Sequence, residues 1–110
     1  MKTKYKFTLS EDLIEYCELL QGYHFANKWM LIIDGHVVIK KDYSWNGCTG
    51  AIDTKKTYIA SCVHDALYQF KPVYRSIADK VFNQILEKNG FLFAKIYYFA
   101  VRLLGWIFYL

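Results

Sequence analysis

Near the N-terminus, the apolar and polar positions change period within a few residues. Residues 4–9, KYKFTL, alternate with a period of two, which is typical of a strand with one buried face. Ser10 fits a helix N-cap, and Glu11 and Asp12 after it suit the first turn of a helix. The apolar stripe that follows predicts a helix over 11–20.

The clearest local pattern lies in residues 29–43, WMLIIDGHVVIKKDY, where two β-rich runs are joined by Asp34 and Gly35. An Asp-Gly pair favours a tight type I′ turn, because both central residues of that turn have a positive φ angle. This segment therefore predicts a β-hairpin.

A helical period begins after the loop 44–56, SWNGCTGAIDTKK. Thr57 is the expected start of a helix that runs to Phe70 and stops there, because Pro72 cannot continue a helix interior. A second helix is expected after the proline and should end at the KNG sequence, residues 88–90. The break at the proline lets the second helix fold back antiparallel on the first.

The last segment, residues 91–110, reads FLFAKIYYFAVRLLGWIFYL and is almost long enough to span a bilayer. On a helix, Lys95 and Arg102 fall on one face. Three interpretations stay open: a core helix with one wetted edge, a helix at a membrane interface with Trp106 and Tyr109 at headgroup depth, or a spanning helix.

Composition narrows the classes of function. A chain of 110 residues has room for one domain, and we expect a single α+β domain over 1–110. The net charge is +4, but the lysines are scattered, so nucleic acid is not an expected partner.

The N-terminus and the cysteines bear on where the protein is expected to reside. No apolar run follows the basic N-terminal residues, so the sequence lacks the pattern of a secretory signal, and we expect a cytoplasmic location. Cysteines 17, 48 and 62 show no zinc-site spacing and are expected to be reduced thiols.

The strongest candidate chemistry lies in CVHDALY, where His64 and Tyr68 share one face of the predicted helix. Asp79, on the second helix, could accept a hydrogen bond from one ring nitrogen and leave the other free as a base, while Tyr68 holds the carboxylate. The alternative is that His64 is a satisfied core residue and that Asp79 pairs with Arg75, four residues before it.

Asp65 points to an adjacent flank of the same helix and could serve a different task. A carboxylate beside a loop rich in main-chain oxygens can hold a hard cation such as calcium. Gly47 and Gly50 would let the preceding loop approach an ion or an oxyanion closely.

The order WNGCTG, CVHDALY and RSIADKVFNQIL resembles that of the secreted phospholipase A2 superfamily, especially its short bacterial, fungal and viral branches. Residues 30–110 also resemble small uncharacterised phage and bacterial proteins with HD followed by Tyr, a later AD and a VRLLG-like helix. The first resemblance implies a phospholipase A2-like helical core, on which the N-terminal strand and the hairpin would pack. It also implies hydrolysis of phospholipid esters, with His64 as the base, Asp79 orienting it and Tyr68 donating to Asp79.

The same resemblance implies a calcium site formed by Asp65 with main-chain oxygens around Trp45, Asn46 and Gly47, and an oxyanion donor at Gly47. Asn46 stands where some bacterial members have an aspartate, which removes one charge from the site. The alternative is a catalytically inactive, phage-encoded relative that uses its aromatic surface to bind a protein or a membrane.

Overall fold

The protein has an α+β fold, as its sequence predicts, and the described residues form two antiparallel sheets and three helices. The structure, a computed structural model, describes residues 7–45, 55–90 and 93–104. Its strands are β1 (Phe7–Thr8), β2 (Leu13–Tyr16), β3 (Phe25–Ala26), β4 (Met30–Ile33), β5 (His36–Ile39) and β6 (Ser44–Trp45). A 3₁₀ turn spans Glu18–Leu20, and the helices are α1 (Lys55–Phe70), α2 (Arg75–Lys88) and α3 (Ala94–Leu104).

The predicted hairpin is confirmed as the β4–β5 pair, in which Ile33 lies opposite His36. Asp34 and Gly35 both have positive φ angles, 48° and 81°, as a type I′ turn requires. A Cβ atom on Gly35 would lie 2.7 Å from the ring of Tyr16, so this position needs glycine for space as well as for backbone conformation.

The predicted helix over 11–20 is wrong, because this segment forms strand β2 and then the 3₁₀ turn. Strand β2 pairs antiparallel with β5, with Leu13 opposite Ile39, and so satisfies the hydrogen bonds of that edge. Asp12 does not lie in a first helical turn; its Oδ1 accepts a hydrogen bond of 2.7 Å from the main-chain N–H of Lys41. Long-range pairing thus overrides local helical preference here.

The N-terminal strand forms as predicted, but it belongs to a separate small sheet. Strand β1 pairs with β6, with Phe7 opposite Trp45, whereas residues 4–6 of the predicted strand lie outside the described part of the chain. The ring centroids of Phe7 and Trp45 are 5.4 Å apart, and those of Trp45 and Tyr58 of α1 are 5.0 Å apart. Phe, Trp and Tyr make up 19% of the chain, and some of them thus form the part of the core that joins the small sheet to α1.

Helices α1 and α2 form the antiparallel pair that the proline predicts. Helix α1 begins two residues before Thr57 and ends at Phe70 as predicted. Lys71 takes a positive φ of 54°, and its N–H bonds to the carbonyl of Leu67 at 2.9 Å, which ends the helix. The core lies between the helices and the inner face of the larger sheet and includes Met30, Ile32, Val37, Ile39, Val63, Leu67, Val81 and Ile85.

The two cations of α3, which the sequence places on one face of the helix, lie in different surroundings. Lys95 is exposed and pairs with Glu87 at 3.2 Å, but the side chain of Arg102 reaches inward to Asp79. Trp106 and Tyr109 lie outside the described residues. None of the helices in the described part of the chain is long and apolar enough to cross a bilayer.

Two of the three cysteines lie in the described residues, and both are free thiols, as expected. Cys17 and Cys62 are buried, and burial raises the pKa of Cys17 to about 12 and that of Cys62 further. These thiols are therefore core residues that stay protonated. Cys48 lies outside the described residues.

Candidate functional site

The site is built on the inner face of α1, where His64 and Tyr68 lie one helical turn apart. Their ring centroids are 4.2 Å apart, and the imidazole also contacts the ring of Phe82 on α2, with centroids 4.7 Å apart. Only 7% of His64 is exposed. The imidazole is thus held between two aromatic rings, which fixes its plane.

Asp79 projects from α2 towards both of these residues and is fully buried. Its Oδ1 lies 2.8 Å from Nε2 of His64 and accepts a second hydrogen bond, of 2.5 Å, from the hydroxyl of Tyr68. The structure therefore brings together all three residues of the predicted catalytic set.

Two arginines contact the other carboxylate oxygen of Asp79, Oδ2. Nη1 of Arg102, on α3, donates to it at 3.0 Å, and Nη1 of Arg75, on α2, forms an ion pair with it at 3.5 Å. The Asp79–Arg75 pair that the sequence offered as an alternative is thus present together with the bond to His64. The sequence interpretation missed Arg102, although a cation within an apolar helix is a signal for a buried acidic partner.

These contacts decide how the proton is shared. Burial acts to raise the pKa of Asp79, but the hydrogen bonds from His64, Tyr68 and Arg102 outweigh it and hold the pKa below its usual range. An ionised carboxylate can only accept hydrogen bonds, so Nε2 of His64 carries the proton in this bond. The neutral ring therefore has its lone pair on Nδ1.

Burial lowers the pKa of His64, against the hydrogen bond and the charge of Asp79, which act to raise it. The charge of Arg75 adds to the lowering. His64 is therefore neutral at neutral pH and able to accept a proton. Burial and Asp79 both raise the pKa of Tyr68, so its hydroxyl stays a hydrogen-bond donor.

The predicted calcium ligands lie partly outside the described structure. Asp65 is half-buried on α1, and Trp45 is buried at the end of β6, whereas Asn46 and Gly47 are not among the described residues. Nε1 of Trp45 donates to Oγ of Ser61 at 2.9 Å, one turn before Asp65 on α1. The start of the loop thus lies beside the helix flank that carries Asp65.

A carboxylate with nearby main-chain oxygens is the ligand type that calcium prefers, so the donor chemistry fits. The described residues contain no cluster of three or more His, Cys, Asp or Glu that could hold a metal ion.

On its outer side, α3 has an exposed apolar surface that the sequence interpretation did not single out. Ile96, Phe99 and Leu103 are 64%, 60% and 73% exposed, and their spacing puts them on one face of the helix. We call these three residues the outer stripe. It lies on the same helix that delivers Arg102 to the buried carboxylate.

Comparison with models of protein families, with curated protein sequences and with solved structures finds no match to this chain.

Proposed function

We propose that the protein is a calcium-dependent hydrolase of phospholipid esters, similar in chemistry to phospholipase A2, with His64 as the general base. One observation carries the proposal: the 2.8 Å contact between Nε2 of His64 and the buried carboxylate of Asp79. This contact orients the ring and leaves Nδ1 to take a proton from water.

In the proposed reaction, Nδ1 of His64 takes a proton from a water molecule while the water oxygen bonds to the ester carbonyl carbon. The imidazolium that forms is stabilised by the adjacent charge of Asp79. When the carbon–oxygen ester bond breaks, the imidazolium returns the proton to the leaving alkoxide. The products are a fatty acid and an alcohol, and the base is regenerated.

Calcium is part of the proposal through Asp65 and the main-chain oxygens of Trp45, Asn46 and Gly47. When bound, the ion would polarise the ester carbonyl. Gly47 is the proposed N–H donor to the developing oxyanion.

The outer stripe of α3 supports action at a membrane surface, because three adjacent exposed apolar side chains could enter the edge of a lipid layer. We place the protein in the cytoplasm, at the periphery of a membrane. Phospholipid is then both its substrate and its binding surface.

Release of fatty acid from mixed phospholipid vesicles, with calcium or with a chelator, tests the proposed reaction. We expect His64→Ala to lower turnover by about 10²- to 10⁴-fold, the usual contribution of a general base. His24→Ala is the matched control, because the side chain of His24 is 63% exposed and lies outside the site. No fatty acid release by the folded wild type with calcium would contradict the proposal.

Calorimetric titration with calcium tests the metal site separately. Wild type should bind calcium, and Asp65→Asn should bind it much more weakly, because the substitution removes a carboxylate ligand. Asp34→Asn is the control, since it removes the same charge from an exposed turn where asparagine is also favoured. Equal calcium binding by Asp65→Asn and wild type would show that Asp65 is not a ligand.

A second candidate is a catalytically inactive, phage-encoded binding or assembly protein that contacts a protein or a membrane. The two arginines on Asp79 support it, because the same buried network could serve only to hold three helices together. The outer stripe would then be the contact surface. This candidate predicts no fatty acid release and equal partner binding by wild type and His64→Ala.

A further inference from the structure

We propose that Arg102 is a positioning residue for the His64–Asp79 pair, so that α3 is a necessary part of the site. Arg102 holds one oxygen of the carboxylate so that the other faces the imidazole. The expected effect on turnover rests on the proposed function, whereas the expected effect on the imidazole does not.

The two oxygens of Asp79 have separate partners. Oδ1 accepts from Nε2 of His64 and from the hydroxyl of Tyr68, both on α1. Oδ2 accepts from Nη1 of Arg102 at 3.0 Å. Rotation of the carboxylate about its last bond would break contacts on both sides, so the bond from α3 fixes the orientation that α1 needs.

Besides its 3.5 Å ion pair with Oδ2, Arg75 also fixes the backbone that carries Arg102. Its Nη1 donates to the carbonyl of Val101 at 3.0 Å, and its Nη2 donates to the carbonyl of Arg102 at 2.9 Å. A cation at these carbonyls is also favoured because they lie in the last turn of a helix. Arg75 thus holds the end of α3, and Arg102 extends from there to Oδ2.

The test uses Arg102→Gln and Arg102→Lys in the full chain, with NMR of the His64 ring nitrogens at neutral pH and steady-state hydrolysis as readouts. In Arg102→Gln, we expect the hydrogen bond from Nε2 of His64 to Asp79 to weaken and kcat to fall by about 10²-fold with KM retained, as for a misplaced catalytic group. In Arg102→Lys, the ammonium can still hold Oδ2, so this hydrogen bond should return towards that of wild type. Its kcat should still be about 10-fold low, because an ammonium does not reproduce the guanidinium geometry.

Lys95→Gln is the matched control, because it removes the other cation of α3, which lies on the surface and pairs with Glu87. It should leave both readouts as in wild type. If Arg102→Gln does not fold, Arg102→Lys alone decides. A kcat equal to that of wild type in Arg102→Lys, or an unchanged hydrogen bond from Nε2 of His64 in folded Arg102→Gln, would overturn the proposal.

The two readouts separate this inference from the proposed function. A wild type that hydrolyses no ester, but whose hydrogen bond from Nε2 of His64 to Asp79 weakens in Arg102→Gln, contradicts the hydrolase and supports the role of Arg102. An active wild type, with Arg102→Gln unchanged in both readouts, supports the hydrolase and contradicts the role of Arg102.

Discussion

Helix α3 departs from the pattern of most surface helices on both of its sides. A surface helix usually turns its charges to water and its apolar side chains to the core. Tyr97 and Val101 follow this rule and pack against the core, but Arg102 donates to a fully buried carboxylate, and on the outer side Ile96, Phe99 and Leu103 are exposed. The inward direction of Arg102 has a physical cause, since Asp79 is buried at the helix junction and an unpaired buried charge costs on the order of 3 to 5 kcal/mol.

This contrast implies that stability is concentrated on the inner side of α3 and that the outer side is free to serve an interaction. Contacts of the inner side join α1, α2 and α3 through a single carboxylate. The side chains of the outer stripe are mostly exposed, so they bury little apolar surface within the fold.

Asp79→Asn should have the largest effect on stability, because it leaves Arg75 and Arg102 close together without a carboxylate partner. We expect the free energy of unfolding to fall by about 3 to 5 kcal/mol, as measured by urea denaturation. Asp34→Asn removes the same charge from an exposed turn and should leave stability unchanged. A loss in Asp79→Asn no larger than in this control would show that the inner side does not hold the helices together.

Tyr68→Phe should have the next largest effect, because it removes one hydrogen bond to the buried carboxylate and leaves the ring in place. Hydrogen bonds to charged groups contribute about 1.5 to 3 kcal/mol, and we expect a loss in that range in urea denaturation. Tyr74→Phe is the control, since Tyr74 is 82% exposed. Equal stability of the two variants would mean that the hydroxyl of Tyr68 contributes nothing.

Acid should destabilise the fold through His64 first. Because burial holds the pKa of His64 in the folded protein below its unfolded value of about 6.5, the unfolded chain takes up the proton first as the pH falls. Stability should therefore be lost from about pH 6.5 downward, by at most about 1.4 kcal/mol per pH unit for one proton.

Asp79 has a lowered pKa as well. The stability that its ionised carboxylate contributes is therefore also lost as the pH falls, but only below the unfolded pKa of about 3.9. His64→Phe should remove the loss that begins near pH 6.5, whereas His24→Gln should keep it. Urea denaturation across the pH range measures both variants. A slope that persists in His64→Phe would assign it to another group.

Substitutions in the outer stripe should have the smallest effect on stability. We expect Ile96→Ser and Leu103→Ser to change the free energy of unfolding by no more than about 0.5 kcal/mol, because both side chains are already exposed. Val101→Ser, on the half-buried side of the same helix, should cost more. Flotation with phospholipid vesicles should show weaker binding for the two stripe variants; unchanged flotation would remove the stripe from the proposed membrane contact.

Local signals in the sequence predicted the parts of the fold that depend on local conformation. Asp34 and Gly35 predicted the hairpin turn, and Pro72 predicted the break that brings Asp79 against His64. The helix predicted over 11–20 failed because the free edge of β5, far along the chain, takes this segment as a strand. No local pattern carries that information.

Local patterns likewise predicted some residues of the candidate site and not others. His64 and Tyr68 could be paired from helical spacing, and Asp79 could be added once two antiparallel helices were expected. Arg102 could not be placed, because its direction depends on where α3 packs and on the burial of Asp79. A rule that seeks a buried acidic partner for every cation in an apolar helix would have selected Arg102 and Lys95 alike, although Lys95 lies at the surface and pairs with Glu87.

The central claim is that a buried, ionised Asp79 holds the His64 imidazole with its proton on Nε2 and its lone pair on Nδ1. NMR of the imidazole nitrogens in the folded wild type at neutral pH tests this most directly. We predict a neutral ring with Nε2 protonated and a hydrogen bond from that nitrogen to a carboxylate. A ring protonated on Nδ1 alone, or an imidazolium at neutral pH, would contradict the account.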